Sequence, residues 1–477
     1  MFKEARKVIK NFTSLVAGWF FIRLLSAGAT MYIAKTLGPT DFGALAFGLS
    51  LALVFSVCAN LGLDDFIIRE VARQPNKTNR LLGDALMLKG FAAPLLMLMA
   101  FGLMMYKPEQ RWLFLFLMLY SLLHSGLLLF GAVFQGLEQM ELQTSVMLTE
   151  MILITTGSVL AVWLTHSATV VAACYLVATL VALGVGYGLL RKQGFRFEWR
   201  WQPTAWRQLL MTALPFSLIF IGQIFYDRLA LTAIATLNGE TAVGWFTAVY
   251  NITLVFSNFP MISVATLFPL LARLARQSTQ TVATLGGSLV KAMLVISTFL
   301  AIALALWAPW IVGLLFGPAY QPSVRLLQML ALSVPPLFLS LTLAGILQAT
   351  GHQRACALYT GYALLIALPV TLVATRFGGY QSGALAYVFN YWLVAGFMLR
   401  LTLRCLADFP VQEAIGWPLL AGVLAASVAY AIHTAPPVVV LLTIGAVYTI
   451  CLWISGLFST EFTIIRRFWQ ERTYANS

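Results

Sequence analysis

Residues 215–237 read PFSLIFIGQIFYDRLALTAIATL, an apolar run that is interrupted by two adjacent charges, Asp227 and Arg228. About 20 residues rising ~1.5 Å each cross the ~30 Å hydrocarbon core of a bilayer, so this run is long enough to form a transmembrane helix. A charge at the centre of such a helix costs on the order of 2.5–3.5 kcal/mol on insertion scales. Neighbouring side chains on a helix do not face each other. We therefore expect each charge to face water, another helix or a ligand.

The composition of the whole chain favours the same environment. Of the 477 residues, 60% are hydrophobic and only 10% are charged, whereas a soluble globular protein carries about 25% charged residues. The net charge of +13 does not indicate a nucleic-acid partner, because the basic residues are spread over short loops and form no stripe. The five cysteines are scattered without the spacing of a zinc site, and no cofactor is expected.

Apolar runs of bilayer length recur along the chain and predict an all-α polytopic membrane protein with about 14 transmembrane helices in antiparallel pairs. An even number of spans returns the chain to the side on which it began. The predicted spans are 12–35, 43–65, 86–106, 111–134, 142–165, 168–190, 209–236, 242–270, 287–316, 323–349, 355–375, 380–403, 416–433 and 437–458.

The distribution of lysine and arginine predicts the orientation, since cytoplasmic loops are enriched in both. With a cytoplasmic N-terminus, most of the basic residues fall in inside loops and tails. The outside would hold only five of them, which are Lys35, Lys107, Arg111, Arg325 and Arg376. The protein is therefore expected in the inner (plasma) membrane, with both termini in the cytoplasm. Lys89 and Lys291 are expected at the cytoplasmic ends of their spans, so Arg23 and Arg228 remain as the basic residues deeper within a span.

An internal repeat divides the spans into two halves. The residues LVFS at 53–56 recur at 254–257, and Gly38, Thr40 and Gly43 recur at the same spacing as Gly239, Thr241 and Gly244. Paired halves with charged helices are typical of transporters. The predicted domains are an N-terminal lobe at 1–190, a cytoplasmic linker at 191–208, a C-terminal lobe at 209–405, and an extra helix pair with a tail at 406–477.

The linker contains aromatic and basic residues in alternation, GFRFEWRWQPTAWR at 194–207. Such a segment can lie in the headgroup layer with its rings towards the acyl chains and its charges on anionic lipid. A solvated linker is the alternative.

Several stretches resemble one family. They are LGPTDFGALAF at 37–47, REVAR at 69–73, YDRLALTAIATLNGETAVGWFTAVYNI at 226–252, LFPLLARLA at 267–275 and LLFGPAYQPSVRLLQMLALSVPPLFLSLTLAGILQATGHQR at 314–354. In their order and spacing they are similar to the oligosaccharide repeat-unit (O-antigen type) flippases. These belong to the polysaccharide transporter family of the multidrug/oligosaccharidyl-lipid/polysaccharide exporter superfamily. The resemblance extends over roughly residues 10–405.

The resemblance implies two pseudo-symmetric six-helix lobes around a cavity, here with an extra helix pair. It also implies transport of an undecaprenyl-diphosphate-linked oligosaccharide from the inner to the outer leaflet by alternating access. The implied partners are this lipid-linked substrate, membrane lipids, a polysaccharide polymerase and other assembly proteins. Because the chain contains no nucleotide-binding domain, the energy would come from an ion gradient, the membrane potential or substrate consumption outside.

Candidate substrate contacts are the basic and polar residues at membrane depth. Arg23 lies on a helical face with Trp19, and Arg228 occupies the corresponding seventh span. Arginine suits a diphosphate because its guanidinium donates two parallel hydrogen bonds. Asn251 and Asn258 add a polar face on the eighth span. The structural alternative is that the two arginines are held in interhelical ion pairs.

Three further titratable residues are candidates for ion coupling or charge pairing. Asp227 could hold Arg23 or Arg228 in place, or bind a coupling ion. His124 and Glu150 are expected to be buried in the fourth and fifth spans, where each could carry a proton or simply form an interhelical hydrogen bond. Asp64 is expected to belong to an interfacial cap at the end of the second span.

Two other classes of function compete with this interpretation. One is a lipid II flippase or a drug or metabolite antiporter of the same superfamily. The other is a membrane enzyme, such as a glycan polymerase or ligase. Such an enzyme needs a sizeable outer loop for its reactive residues, and every predicted outside loop is short. The chain is therefore not expected to be an enzyme.

Overall fold

The computed structural model describes residues 2–60, 62–91, 93–195, 206, 225–431, 443 and 445–450, with backbone only for residues 2–25, 58, 59, 95, 96, 99, 100, 103, 104, 106, 269 and 430. These residues are almost entirely helical, and no β-strand occurs among them. Eight described helices are long and apolar enough to cross a membrane, or nine if one bent pair counts as a span. The prediction of an all-α polytopic membrane protein is confirmed.

The described helices overlap the predicted spans, although the eighth span, 242–270, is divided between two of them. They are α1 Phe2–Asn60, α2 Leu63–Arg73, α3 Thr78–Phe91, α4 Ala93–Tyr106, α5 Arg111–Gly136, α6 Met140–Thr165, α7 Ala168–Lys192, α8 at 225–238, α9 Glu240–Phe256, α10 Asn258–Leu274, α11 Thr279–Leu315, α12 Ser323–Ala331, α13 Val334–Ala349, α14 Gln353–Cys405 and α15 Trp417–Ala431. Residues 445–450 are also helical. The start of the predicted span 209–236 and most of the span 437–458 lie outside the described residues.

In two places, two predicted spans form one helix that bends at a glycine, with no loop between them. The first and second spans together form α1, which breaks at Gly38 with φ 77°. The eleventh and twelfth spans form α14, which breaks at Gly379 with φ 69°. A residue without Cβ adopts these positive φ values at no steric cost. The tenth predicted span is bent by 41° between α12 and α13.

The described helices divide into two compact units. Unit 1 comprises residues 1–248, 313–320 and 375–380. Its centre is α5, which packs against α1, α2, α6 and α7. The short helix α2 buries Ile67 and Val71 in this core, and Gly136 of α5 lets Val71 approach so closely that a Cβ there would lie 2.9 Å from it.

A polar cluster completes the α2–α3 side of unit 1. Lys89 is buried, and its ammonium donates to Asp64 Oδ1 at 2.9 Å and to the Ser125 carbonyl at 2.6 Å. Asp64 therefore pairs with another helix in addition to starting α2. Trp206, in the linker predicted to lie among lipid headgroups, is instead buried and donates its indole N–H to Asp84 at 3.0 Å.

Unit 2 comprises residues 249–312, 321–374 and 381–477. Here α10 packs on α13, where Gly345 makes room for the side chain of Val264. The C-terminal helices pack on α11. Tyr448 forms a hydrogen bond with Thr298, and Gly422 of α15 lies against the same threonine. The extra helix pair is thus tied to its unit by a buried polar contact as well as by apolar packing.

Candidate functional site

A buried His–Glu pair joins three helices of unit 1. His124 on α5 and Glu150 on α6 lie with Nδ1 and Oε1 2.9 Å apart. The hydroxyl of Thr179 on α7 donates to the same oxygen at 2.7 Å. Glu150 is only 6% exposed. Since a buried carboxylate is costly unless it is paired or hydrogen-bonded, these two contacts explain how the membrane interior holds it.

Two tyrosines form the aromatic wall of this pair. The ring of Tyr120 lies 5.4 Å from the His124 imidazole, and Tyr175 meets Tyr120 edge-on at 5.3 Å between ring centroids. Tyr120 and His124 are one helical turn apart on α5, so α5 presents both to the same neighbours. The imidazole is therefore oriented by a ring on one side and by the carboxylate on another.

The pair lies at the wall of a cavity of about 290 Å³. Its polar lining consists of Ser26 on α1, His124, Glu150, Thr155 and Tyr175. A cavity of this size holds several water molecules, since one water occupies about 30 Å³ of liquid. Protons from water can therefore reach the pair although Glu150 is buried.

The imidazole and the carboxylate can share one hydrogen between them, and the low-dielectric surroundings make this contact stronger than it would be in water. Across the described residues, no group of three or more His, Cys, Asp or Glu side chains is placed to hold a metal ion.

The other predicted site residues lie elsewhere. Asp227 and Arg228 are half-buried in α8 of unit 1. Asn251 is half-buried in α9, and the amide of Asn258 donates to the Val255 carbonyl at 2.8 Å where α9 gives way to α10. Asn258 thus supports the helix junction through its backbone contact.

The side chains of Trp19 and Arg23 lie outside the described residues. Both belong to α1, and Ser26, three residues after Arg23 in the same helix, lines the cavity.

Sequence reasoning proposed His124 and Glu150 separately and missed their contact, together with Thr179, Tyr120 and Tyr175. The sequence did contain a signal for the contact between His124 and Glu150. α5 and α6 are joined by a tight turn at Glu138, which has φ 60°, and the two residues stand almost equally far from it along antiparallel helices. Equal distance from a turn places two side chains at the same membrane depth.

Comparison with known families gives a decisive match. The family described as polysaccharide biosynthesis protein matches residues 8–275 of this chain. That range is more than half of the 477 residues. The chain belongs to the polysaccharide biosynthesis protein family. No curated protein sequence gives a significant match to it.

Solved structures with the same fold are transporters. This family member matches the lipid II flippase MurJ in an inward closed conformation, with TM-score 0.70 and 13% identity over 94% of this chain and 99% of that one. It matches an inward-facing multidrug resistance MATE family transporter of the MOP superfamily with TM-score 0.67 and 15% identity over 82% and 95% of the two chains. It also matches a MOP superfamily transporter from Pyrococcus furiosus, with TM-score 0.55 and 14% identity over 81% of this chain and 93% of that one. The polysaccharide biosynthesis protein thus has the fold of these transporters.

Proposed function

We propose that this chain moves a lipid-diphosphate-linked oligosaccharide, the repeat unit of a surface polysaccharide on undecaprenyl diphosphate, from the inner to the outer leaflet. The observation that carries the proposal is the family match over residues 8–275, on a fold shared with a lipid flippase. Such a substrate must take a charged headgroup through hydrocarbon. It therefore needs cations and polar groups at membrane depth.

Arg23 and Arg228 are the proposed ligands of the diphosphate. They are the basic residues of the first and seventh predicted spans, the first spans of the two halves. A guanidinium can donate to two phosphate oxygens at once, which a lysine cannot do. Trp19, Asn251 and Asn258 are proposed to contact the sugars through ring stacking and amide hydrogen bonds. The substrate's lipid tail can stay in the bilayer.

The His124–Glu150 pair is proposed to couple transport to a proton gradient. Its support is geometric, since a 2.9 Å contact between imidazole and carboxylate lies on a cavity wall. Asp227 is a second proposed charge partner, next to Arg228 on α8. Protonation of the pair would favour one helix arrangement over another, and the cycle would proceed by alternating access.

Complementation of a deletion strain tests the proposal. The variants are Glu150→Gln and Arg228→Gln, with Glu141→Gln and Arg325→Gln as controls, because these two side chains are exposed. Surface glycan and lipid-linked intermediates on the inner leaflet are measured at matched protein levels. We expect both test variants to lose surface glycan and to accumulate intermediates, and both controls to behave like wild type. Normal surface glycan from the double test variant would refute the assigned roles.

A lipid II flippase is the second candidate function. It is favoured by the extent of the structural match, which covers 94% of the chain for MurJ against 82% for the MATE transporter. Depletion distinguishes the two substrates. Loss of the chain should halt surface polysaccharide while cell-wall synthesis continues under our proposal, and should cause lysis if lipid II is the substrate. Drug sensitivity without either effect would favour an antiporter.

The proposed location is the inner (plasma) membrane with both termini in the cytoplasm, alongside a polysaccharide polymerase and other assembly proteins. The described turns offer a direct test of orientation. A single cysteine replacing Asn76 should be labelled only from the cytoplasm, and one replacing Glu109 only from outside, since both side chains are exposed. Labelling from the opposite sides would overturn the orientation.

A further inference from the structure

Two helices of unit 1 touch through their backbones near the turns that are predicted to lie outside. A Cβ added to Gly43 of α1 would lie 1.9 Å from the Glu240 carbonyl oxygen. A Cβ added to Gly244 of α9 would lie 1.8 Å from the Pro39 carbonyl oxygen. Between these contacts, the hydroxyls of Thr40 and Thr241 are 3.0 Å apart. Only glycine allows an approach this close.

The contact has the symmetry of the internal repeat. Gly43, Thr40 and Pro39 correspond in the repeat to Gly244, Thr241 and Glu240. Gly43 contacts position 240 while Gly244 contacts position 39, and the two threonines meet each other. Reciprocal contacts of this kind define an isologous interface, as at a two-fold axis between identical subunits. We call this set the glycine–threonine crossing.

Charged residues reinforce one side of the crossing. The ammonium of Lys107 forms an ion pair with Glu240, and the amide of Gln110 donates to Glu240 Oε2 at 2.6 Å. Asp41 lies close enough to Glu240 for the two like charges to interact. Lys107 therefore offsets a repulsion between two carboxylates, and its loss would leave that repulsion in place.

A further turn is tied to the same ends of α1 and α9. The hydroxyl of Tyr320 donates to the Ala34 carbonyl at 2.7 Å, and the indole of Trp245 donates to the Ala319 carbonyl at 3.1 Å. The turn that carries these residues begins at Gly317, which has φ 82°. The turn at 317–320 thus contacts both α1 and α9 beside the crossing.

We infer that the glycine–threonine crossing with the Lys107–Glu240 pair is a releasable latch on the outer side, closed in this structure and opened once in each transport cycle. The Thr40–Thr241 contact is exposed, so water competes with its hydrogen bond, and the Lys107 side of the part-buried ion pair is also open to water. An interface built from such contacts can open and close without unfolding a hydrophobic core. The inference takes transport from the proposed function but does not depend on which substrate is carried.

A reversible cross-link tests whether the latch must open. In a background with all five cysteines replaced, Thr40→Cys and Thr241→Cys place two thiols where the hydroxyls are now 3.0 Å apart, and a disulfide needs ~2.05 Å between its sulfurs. Oxidation should abolish surface glycan export, and a reductant should restore it. Each single-cysteine variant should be unaffected by oxidant. Full export by the oxidised, cross-linked protein would overturn the inference.

Charge reversal tests the ion pair through a readout that needs no substrate. A cysteine replaces Thr247, which is buried one turn after Gly244, and its labelling by a membrane-impermeant maleimide reports opening to the outside. Glu240→Lys should raise the labelling rate several-fold, and adding Lys107→Glu should bring it back. Glu109→Lys, an exposed neighbour, serves as the control.

The outcomes separate this inference from the proposed function. Restored latching in the double reversal, with or without glycan export, supports the latch. Equal labelling in Glu240→Lys, its double reversal and the control would overturn it, even if export of the proposed substrate were demonstrated. Size-exclusion profiles show which variants are folded.

Discussion

Alanine at Gly244 should force the latch open, and the structure sets the size of the effect. The added Cβ would lie 1.8 Å from the Pro39 carbonyl oxygen, whereas ordinary contact begins at 3.4 Å, so the two backbones must separate by about 1.6 Å (3.4 − 1.8). The Thr40–Thr241 distance of 3.0 Å would then exceed hydrogen-bonding range. Overpacking costs about 1–3 kcal/mol and a lost hydrogen bond about 1 kcal/mol.

Together these terms disfavour the closed latch by about 2 kcal/mol or more, and ~1.4 kcal/mol is a tenfold change in an equilibrium constant. The open population should therefore rise roughly 30-fold or more. Gly43→Ala should have a similar effect, because its Cβ would meet the Glu240 carbonyl oxygen at 1.9 Å. A helical alanine is itself more stable than glycine by about 1 kcal/mol, so a weakened helix cannot explain the opening.

The assay is maleimide labelling of a cysteine at Thr247 from outside the cell, as above. The matched control is Gly184→Ala, a helical glycine of α7 around which a Cβ meets no atom within 4 Å. This control should label at the wild-type rate. If folded Gly244→Ala labelled no faster than Gly184→Ala, the backbone contact would not limit opening and the reasoning would fail.

Three further outcomes are expected. Arg228→Lys should retain more glycan export than Arg228→Gln, because charge survives without the bidentate donor pair, and equal export would deny a role for charge. Lys89→Met should destabilise the protein in a detergent melt by about 1–3 kcal/mol, because the half-buried Asp64 carboxylate and the Ser125 carbonyl lose the ammonium that donates to them, and adding Asp64→Leu should recover most of this. Tyr448→Phe should lower the melting temperature through loss of its bond to Thr298, worth about 1 kcal/mol, while transport continues.

Span positions could be predicted from the sequence because apolar length alone decides them. The breaks at Gly38 and Gly379 are also readable, since each glycine stands between two bilayer-length runs. Side-chain contacts between different helices were harder to predict. Nothing local to Asp64 indicates that Lys89 will reach it, because that contact depends on how α2 packs against α3 and α5.

The linker prediction failed at Trp206 for a similar reason. Its mixed aromatic and basic sequence fits a membrane surface, but a buried carboxylate, Asp84, accepts the indole N–H, and the ring packs 5.5 Å from Phe91. A sequence pattern cannot distinguish lipid from a helix that offers the same apolar surface. The side chain of Arg23 lies outside the described residues, so its assignment stays a prediction.

The latch separates into a part that follows the internal repeat and a part that does not. Both glycines and both threonines recur, so the backbone crossing is symmetric. The charged residues are not symmetric, because Glu240 corresponds to Pro39 in the repeat and Asp41 corresponds to Ala242. Duplication alone accounts for the packing, whereas the ion pair with Lys107 had to arise in one half. Glycine variants therefore measure how tightly the crossing closes, and charge variants measure what biases it. If Glu240→Lys shifts the latch while the glycines are intact, the charged side sets the closed population on a scaffold that symmetry supplies.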